Sequence, residues 1–207
     1  MGIAPPLACS AAALAPAQAV VADRLVAVVS GQPIMASDLR AARVLDLVPG
    51  AATLGDAALV DRLIVRELMR AEVERFSTTL TDVDRGITAR DDAEARTARA
   101  GGEERLAALG ITPGRLLAWL EDDARIERYM RQRFEASAQP SDDEALTWFQ
   151  IHERDYLREG RPRPFAEVRE EVRARLAAER RQSLVDDWIA GLRRRAVIVL
   201  VPAPSQP

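Results

Sequence analysis

The sequence predicts a mainly α-helical fold with one small β-sheet. Two short β-like runs lie near the beginning of the chain, at residues 25–30 and 34–35, and a third lies near its end, at residues 196–201. Between them, apolar residues recur at spacings of three and four, the period of helices that bury one face. Because a two-stranded hairpin is only marginally stable by itself, we expect the terminal run to pair with the first two.

Composition and charge exclude several classes of protein. The chain has 207 residues, of which 48% are hydrophobic, and it has no apolar run long enough for a membrane span. Arginine supplies every basic side chain, because lysine is absent, and the formal net charge is -3. An acidic balance gives no long-range attraction to a phosphate backbone. We therefore expect no nucleic-acid partner and no stable insertion into a membrane.

The first residues have the features of a targeting segment. Residues 2–22 carry no charge, and Ala17-Gln18-Ala19 has the small-x-small form of a signal-peptidase site. They predict a signal peptide over residues 1–19 and export to the periplasm of a Gram-negative-type envelope. The basic stretch that usually opens a signal peptide is missing, which leaves a late start site or a mobile apolar tail as alternatives. Cleavage would also remove Cys9, the only cysteine, as suits an oxidising compartment.

A hairpin and a short helix are expected next. Residues 25–30 alternate and are rich in valine, Gly31-Gln32-Pro33 predicts a turn, and Ile34-Met35 continues the chain in an extended form. Ser37 is a suitable helix N-cap, and Pro49-Gly50 predicts the end of that helix.

Two longer helices follow in the sequence. Residues 56–76 predict a helix with one buried face, and a second helix is expected to open at Thr81-Asp82 and to stop at Gly101-Gly102. Residues 90–99 are almost wholly polar or small, which predicts a solvated or marginal segment. The apolar positions of the first helix are Leu59, Val60, Leu63, Ile64, Leu68, Val73 and Phe76.

The second half of the chain is also predicted to be mostly helical. A short helix over 103–109 is followed by an amphipathic one that starts at Thr112-Pro113. Ser141 and Glu144 form a capping box for a helix that reaches to about Tyr156. After the loop 159–164, a long helix begins at Phe165 and leads to Arg193-Arg194-Arg195, where the positive charges favour a helix C-terminus.

Aromatic and large apolar residues in the two helices that flank Pro140 are the candidate binding residues. A groove lined by some of them could hold an extended apolar polypeptide, although packing in the core is the simpler interpretation for each one. The candidates are Trp119, Tyr129, Met130, Phe134, Trp148, Phe149 and Tyr156.

Catalytic and metal-binding chemistry is not expected. His152 is the only histidine, and we interpret it as a surface residue. Adjacent acidic pairs such as Asp122-Asp123 point to different faces of a helix and are interpreted as solvated. We therefore assign no catalytic residue, no metal ligand and no cofactor.

Five stretches together resemble SurA-like periplasmic chaperones, a family that includes parvulin-type peptidyl-prolyl isomerases. In order along the chain they are "DRLVAVVSGQPIMASDLRAARVL", "ALVDRLIVRELMRAEVERF", "GITPGRLLAWLEDDARIERYMRQRF", "SDDEALTWFQIHERDYL" and "PFAEVREEVRARLAAERRQSLVDDWIAGLRRRAVIVLV". The first is similar to the hairpin and Ser-Asp-Leu helix start of the family, with Ser30 in place of the usual Asn. The resemblance covers nearly all of the mature chain.

The resemblance implies a SurA N-terminal-domain-like helical bundle as one chaperone domain over residues 20–201. Its parts would be an N-terminal part at 20–157, a linker at 158–164 and a C-terminal helix and strand at 165–201, followed by a tail at 202–207. In the family an isomerase domain sits between these parts, but only eight residues separate Tyr156 from Phe165. A domain needs about fifty residues, so we expect the isomerase domain to be missing.

The implied function is that of an ATP-independent holdase, which would bind unfolded or extended segments of outer-membrane or other exported proteins without chemistry of its own. Two alternatives remain open: a helical scaffold or accessory subunit of an envelope complex, and an isomerase. The sequence also leaves open a homodimer that exchanges the terminal strands.

Overall fold

The computed structural model describes residues 23–76, 83–158 and 160–202, and within the second range the side chains from residue 88 onward. The signal peptide expected at 1–19, the helix start expected at Thr81-Asp82 and most of the tail lie outside the described residues. The strands are β1 (Leu25–Val29), β2 (Gln32–Met35), β3 (Leu157–Arg158), β4 (Arg161–Pro162) and β5 (Ile198–Leu200). The helices are α1 (Ala36–Val44), α2 (Asp56–Phe76), α3 (Val83–Ala100), α4 (Glu103–Ala108), α5 (Pro113–Ala138), α6 (Asp142–Ile151) and α7 (Phe165–Arg195), with a short 3-10 helix at Glu153–Tyr156. The expectation of a mainly α-helical fold with a small sheet is confirmed.

The small sheet joins the two ends of the described chain. Strand β1 lies in the centre and pairs antiparallel with β2 on one side and with β5 on the other. Val28 of β1 lies opposite Val199 of β5, and Ala27 and Val29 on either side of it are fully buried. The expected pairing of the terminal run with the first strand is confirmed.

The turn between β1 and β2 differs from the expected one. Ser30 and Gly31 form a two-residue turn with φ angles of 48° and 89°, whereas the sequence predicted a turn at residues 31–33. Positive φ at both central positions gives the type I′ turn, whose twist matches that of a hairpin. Pro33 therefore belongs to β2, and it is tolerated there because β2 is an edge strand.

The N-cap expected at Ser37 is wrong. Helix α1 begins two residues earlier than expected, and the backbone N–H of Met35 at its N-cap position donates to the Asp38 carboxylate at 2.8 Å. Ser37 is buried instead, and its hydroxyl donates to the Asp23 carboxylate. Asp38 therefore caps the helix in place of Ser37, and its carboxylate also accepts a hydrogen bond from the Arg115 guanidinium of α5 at 2.5 Å.

Helices α2 and α3 each depart from the expectation at one point. Phe76, at the end of the apolar face of α2, is 63% exposed, and its ring lies 6.3 Å from that of Tyr129. Helix α3 is not simply solvated over residues 90–99, because Ala93 is buried in the core and the Arg96 guanidinium donates to two carbonyl oxygens at the end of α1 at 2.6 Å. Small residues let this helix approach α5 closely, which its low hydrophobicity did not predict.

The predicted start signals of α5 and α6 are confirmed. Thr112 accepts from the backbone N–H of Arg115 at 3.2 Å, and Ser141 and Glu144 form a reciprocal capping box. Helix α6 stops at Ile151 rather than at Tyr156, however, and the chain continues through the 3-10 helix. The hairpin β3–β4 then occupies part of the expected linker at 158–164.

Two hydrophobic clusters hold these elements together. The main core lies between the sheet and helices α1, α2, α3, α5 and the C-terminal half of α7. A second cluster lies between α6, the 3-10 helix and the N-terminal half of α7, with Ala145, Phe149, Tyr156, Val168 and Val172 buried in it. Helix α7 has 31 residues and is therefore about 46 Å long, so that it contributes to both clusters.

Candidate functional site: apolar grooves between helices

The seven candidate residues do not line one common groove. Trp119, Tyr129, Met130 and Phe134 of α5 belong to the main core or pack against it. Trp148, Phe149 and Tyr156 belong to the second cluster. Phe134, Phe149 and Tyr156 are buried, whereas the other four are half-buried. For the three buried residues the structure supports the simpler interpretation of core packing.

Each group of candidates is held by a further aromatic residue from α7. The Trp188 ring lies 5.6 Å from the ring of Tyr129 and 5.7 Å from that of Phe134. The Phe149 ring lies 5.5 Å from that of Phe165 and 5.6 Å from that of Tyr156. The two groups of candidates therefore pack against different parts of α7, one around Trp188 and the other around Phe165.

An open apolar groove lies between α6 and the middle of α7. Its volume is about 360 Å³. Ile151 at its edge is 74% exposed, and Leu146 of the same helix is also exposed. The groove is lined by Asp143, Glu144, Thr147, Trp148, Ile151, Leu176 and Arg180. Of the seven candidates, Trp148 alone lines this groove.

The Trp148 side chain is fixed in the groove by neighbours on both helices. The His152 ring stacks on the indole with 3.9 Å between ring centroids, and its Nδ1 lies 2.8 Å from the Trp148 carbonyl oxygen. The Arg175 guanidinium of α7 lies 5.1 Å from the centre of the indole. His152 is therefore half-buried against Trp148 rather than a free surface residue, and the groove has a preformed aromatic wall.

Charged pairs join α6 to α7 beside this groove. The Glu144 carboxylate accepts from both terminal nitrogens of Arg180, at 2.8 and 3.1 Å, and from the Ser141 backbone N–H. The hydrogen bonds from Arg180, and then those from Ser141, lower the pKa of Glu144 to about 2. Asp142 pairs with two arginines of α7, Arg169 and Arg173. Ionic contacts thus connect the two helices that form the groove, beside the apolar packing of the second cluster.

We expect the contact between α6 and α7 to weaken in acid. The pKa of Glu144 is lowered from 4.5 to about 2, so its contribution to stability is complete above pH 4.5 and is lost as the pH falls to about 2. Thermal unfolding followed across this range should show a steeper loss of Tm in the wild type than in Glu144→Gln, which cannot titrate. Equal slopes would contradict the role of Glu144, and an NMR titration of its carboxyl carbon would test the pKa directly.

A second groove lies between α3 and α5 and contains none of the candidate residues. Its volume is about 460 Å³. Most of the residues that line it are small, and its charged residues Arg90, Glu94 and Glu103 are exposed. The groove is lined by Arg90, Ala93, Glu94, Thr97, Ala98, Gly102, Glu103, Pro113, Gly114 and Leu117. The sequence did not predict this groove, because no aromatic residue lines it.

Trp119 lines a pocket of about 190 Å³ that also has charged side chains of α1, α2 and α5 in its lining. The Arg66 guanidinium of α2 lies 3.9 Å from the centre of the indole, and its Nε donates to the Asp123 carboxylate at 2.7 Å. Burial raises the pKa of both Asp122 and Asp123, and nearby arginines partly offset the effect. The interpretation of this acidic pair as solvated is therefore wrong, and Trp119 is covered by a paired cation.

The described part of the chain contains no group of three or more His, Cys, Asp or Glu residues that could hold a metal ion. No helix among the described residues is both long enough and apolar enough to cross a membrane. No protein-family model matches the chain, and no curated protein sequence is significantly similar to it.

Proposed function

We propose that the chain is an ATP-independent periplasmic holdase that binds extended apolar segments of unfolded exported proteins. The observation that carries the proposal is the open groove between α6 and α7, where the fixed indole of Trp148 lies beside the exposed side chain of Ile151. An exposed apolar surface with a preformed aromatic wall is typical of binding sites for apolar groups.

The groove has the properties needed for weak, adaptable contacts. Its volume of about 360 Å³ is near the lower end of ligand pockets, so it fits one or two large side chains rather than a folded partner. A site of this size gives modest affinity, because binding must offset the lost freedom of the bound segment. A holdase needs such reversible binding, since its clients must be released to fold.

The sequence resemblance to SurA-like chaperones agrees with this proposal, and the chain departs from the family at one point. The segment between Tyr156 and Phe165 forms the hairpin β3–β4 and leaves no room for a parvulin domain. We propose that the chain is not an isomerase and that it acts without a cofactor. A proline-isomerisation assay with turnover would contradict this part.

Light scattering of an outer-membrane porin diluted from urea tests the holdase proposal. We expect the mature chain to suppress aggregation in proportion to its concentration, and Ile151→Ser to suppress it less, because the substitution makes the groove edge polar. Val44→Ser is the matched control, since Val44 is an exposed apolar residue at the end of α1, outside the groove. Unchanged aggregation at several-fold excess of the wild type would contradict the proposal.

A scaffold or accessory subunit is the second candidate, and the exposed edge of β5 favours it. Leu200 of this strand is 63% exposed, as is common where another chain binds. A protein that co-purifies with the chain at constant stoichiometry would support this function, whereas recovery of the chain with many different unfolded proteins would support the holdase.

A further inference from the structure

We propose that the outer edge of β5 binds an extended, acid-flanked segment of another polypeptide as a fourth strand of the sheet. This edge is separate from the α6–α7 groove, and the proposal goes beyond the holdase function, since a strand could bind here whether or not the groove binds clients.

Among the described residues, none pairs with the backbone groups on the outer side of β5. The Ser30 N–H donates to the Val197 carbonyl oxygen, and the Val201 N–H donates to that of Val26, so residues 197, 199 and 201 bond towards β1. Because inward and outward groups alternate along an antiparallel strand, Ile198 and Leu200 direct their N–H and C=O groups outward. A further strand could form hydrogen bonds with both residues.

The opposite edge of the sheet lacks this capacity. Val29 and Gln32 flank the two-residue turn and bond to each other across it, so Pro33, opposite Val28, directs its nitrogen outward. Proline has no N–H, so the outer edge of β2 lacks a donor where an added strand would need one. Of the two edges of this sheet, only that of β5 is suited to strand addition.

The side chains of the edge are apolar on both faces. Val199 is 51% exposed on one face of the sheet, and Leu200 is 63% exposed on the other. Val197, just before the strand, is also exposed. A strand with apolar residues at alternate positions would cover them, as in strand-addition complexes in which the backbone supplies affinity and side chains supply specificity.

Positive charges near both ends of β5 favour a segment with acidic ends. Arg194 and Arg195 precede β5, and Arg24 precedes the neighbouring strand β1, near the other end of β5. The Arg195 guanidinium pairs with Glu72 at 3.3 Å. Within the described residues neither Arg24 nor Arg194 forms an ion pair. Two copies of the chain related by a two-fold axis would have to pair antiparallel, which would place the Arg24 end of one beside the Arg194 end of the other. Like charges would then meet, whereas a peptide with carboxylates at its ends would be attracted.

Fluorescence anisotropy with a labelled nine-residue peptide tests the proposal. The peptide has valine at alternate central positions and glutamate at each end, and its counterpart has lysine in place of glutamate. We expect the glutamate peptide to bind more tightly, with the difference decreasing as salt is added. Equal binding of the two peptides, or binding of neither, would overturn the proposal.

Leu200→Pro removes an outward N–H together with the leucine side chain, and comparison with Leu200→Thr separates the two losses. We expect it to weaken peptide binding by about tenfold relative to Leu200→Thr, which keeps the donor. If Leu200→Pro does not fold, a peptide with methylated central amides tests the same bonds on the wild type, and we expect it not to bind. Full binding of the methylated peptide would overturn the proposal. So would a dimer of the wild type that persists in Leu200→Thr and is lost in Leu200→Pro, because a second copy of the chain would then occupy the edge.

Discussion

Replacement of Trp188 by alanine should lower the free energy of unfolding by about 3–5 kcal/mol, as for other large-to-small changes of buried aromatic residues. Trp188 of α7 is buried in the main core and contacts the rings of Tyr129 and Phe134 on α5. Its removal would leave a cavity between the two longest helices. Urea denaturation followed by circular dichroism measures the change.

Trp188→Phe is the matched control for this prediction. The indole Nε1 is buried and has no hydrogen-bond partner within the described part of the chain, so a phenyl ring loses no hydrogen bond there. We expect this variant to lose less than about 1.5 kcal/mol. If the alanine variant were as stable as the phenylalanine variant, the packing of α5 on α7 through this residue would be wrong.

Truncation of the chain after Arg195 should lower the free energy of unfolding by about 4 kcal/mol or more. The truncated chain loses β5, and with it the ladder to β1 and the hydrogen bonds to Val197 and Val201, at about 1 kcal/mol each. The remaining hairpin would be marginal, as are isolated two-stranded sheets. Thermal and urea unfolding would measure the loss.

Val199→Thr is a suitable comparison for the truncation, because it keeps the backbone of β5 and changes only a half-exposed side chain. We expect its stability to lie within about 0.5 kcal/mol of the wild type. A truncated chain that unfolds at the same urea concentration as the full chain would show that the two ends do not hold each other.

Much of the fold was predictable because the helix caps are local in sequence and because the chain has few strand-like runs that could pair. The capping box at Ser141 and Glu144 and the N-cap at Thr112 involve residues three positions apart, so the sequence contains the whole interaction. Only three runs in the chain resemble strands, and a hairpin needs a third strand, which left one pairing for residues 196–201.

The errors involve contacts between residues that are distant in the sequence. Ser37 is a good N-cap by type, but Asp23 binds its hydroxyl and Asp38 takes over the cap. Helix α3 has few apolar residues, and its packing depends on close approach of small side chains and on the bonds of Arg96 to carbonyl groups about fifty residues away. Neither the contact of Ser37 with Asp23 nor the bonds of Arg96 to the carbonyl groups can be recognised from a local sequence pattern.

The candidate site was predicted only in part for the same reason. The sequence identified Trp148 but placed it in one group with the candidate residues of α5. The order of the helices does not show which half of α7 packs against α5 and which half packs against α6. Ile151 and Arg180, which line the groove with Trp148, were missed as binding residues. The helical spacing of Trp148 and Ile151 could have shown that they share one side of α6.

The most direct test of the proposed function is site-specific photocrosslinking from the groove during dilution of an unfolded porin. A benzophenone side chain would be placed at Ile151, and in a control protein at Glu170, an exposed residue on the side of α7 away from the buried Val168 and Val172. We expect a crosslink to the unfolded porin from position 151, a much weaker one from position 170, and none to the folded porin. Equal crosslinking from both positions, or none from position 151, would contradict the assignment of the α6–α7 groove as the site that binds unfolded polypeptides.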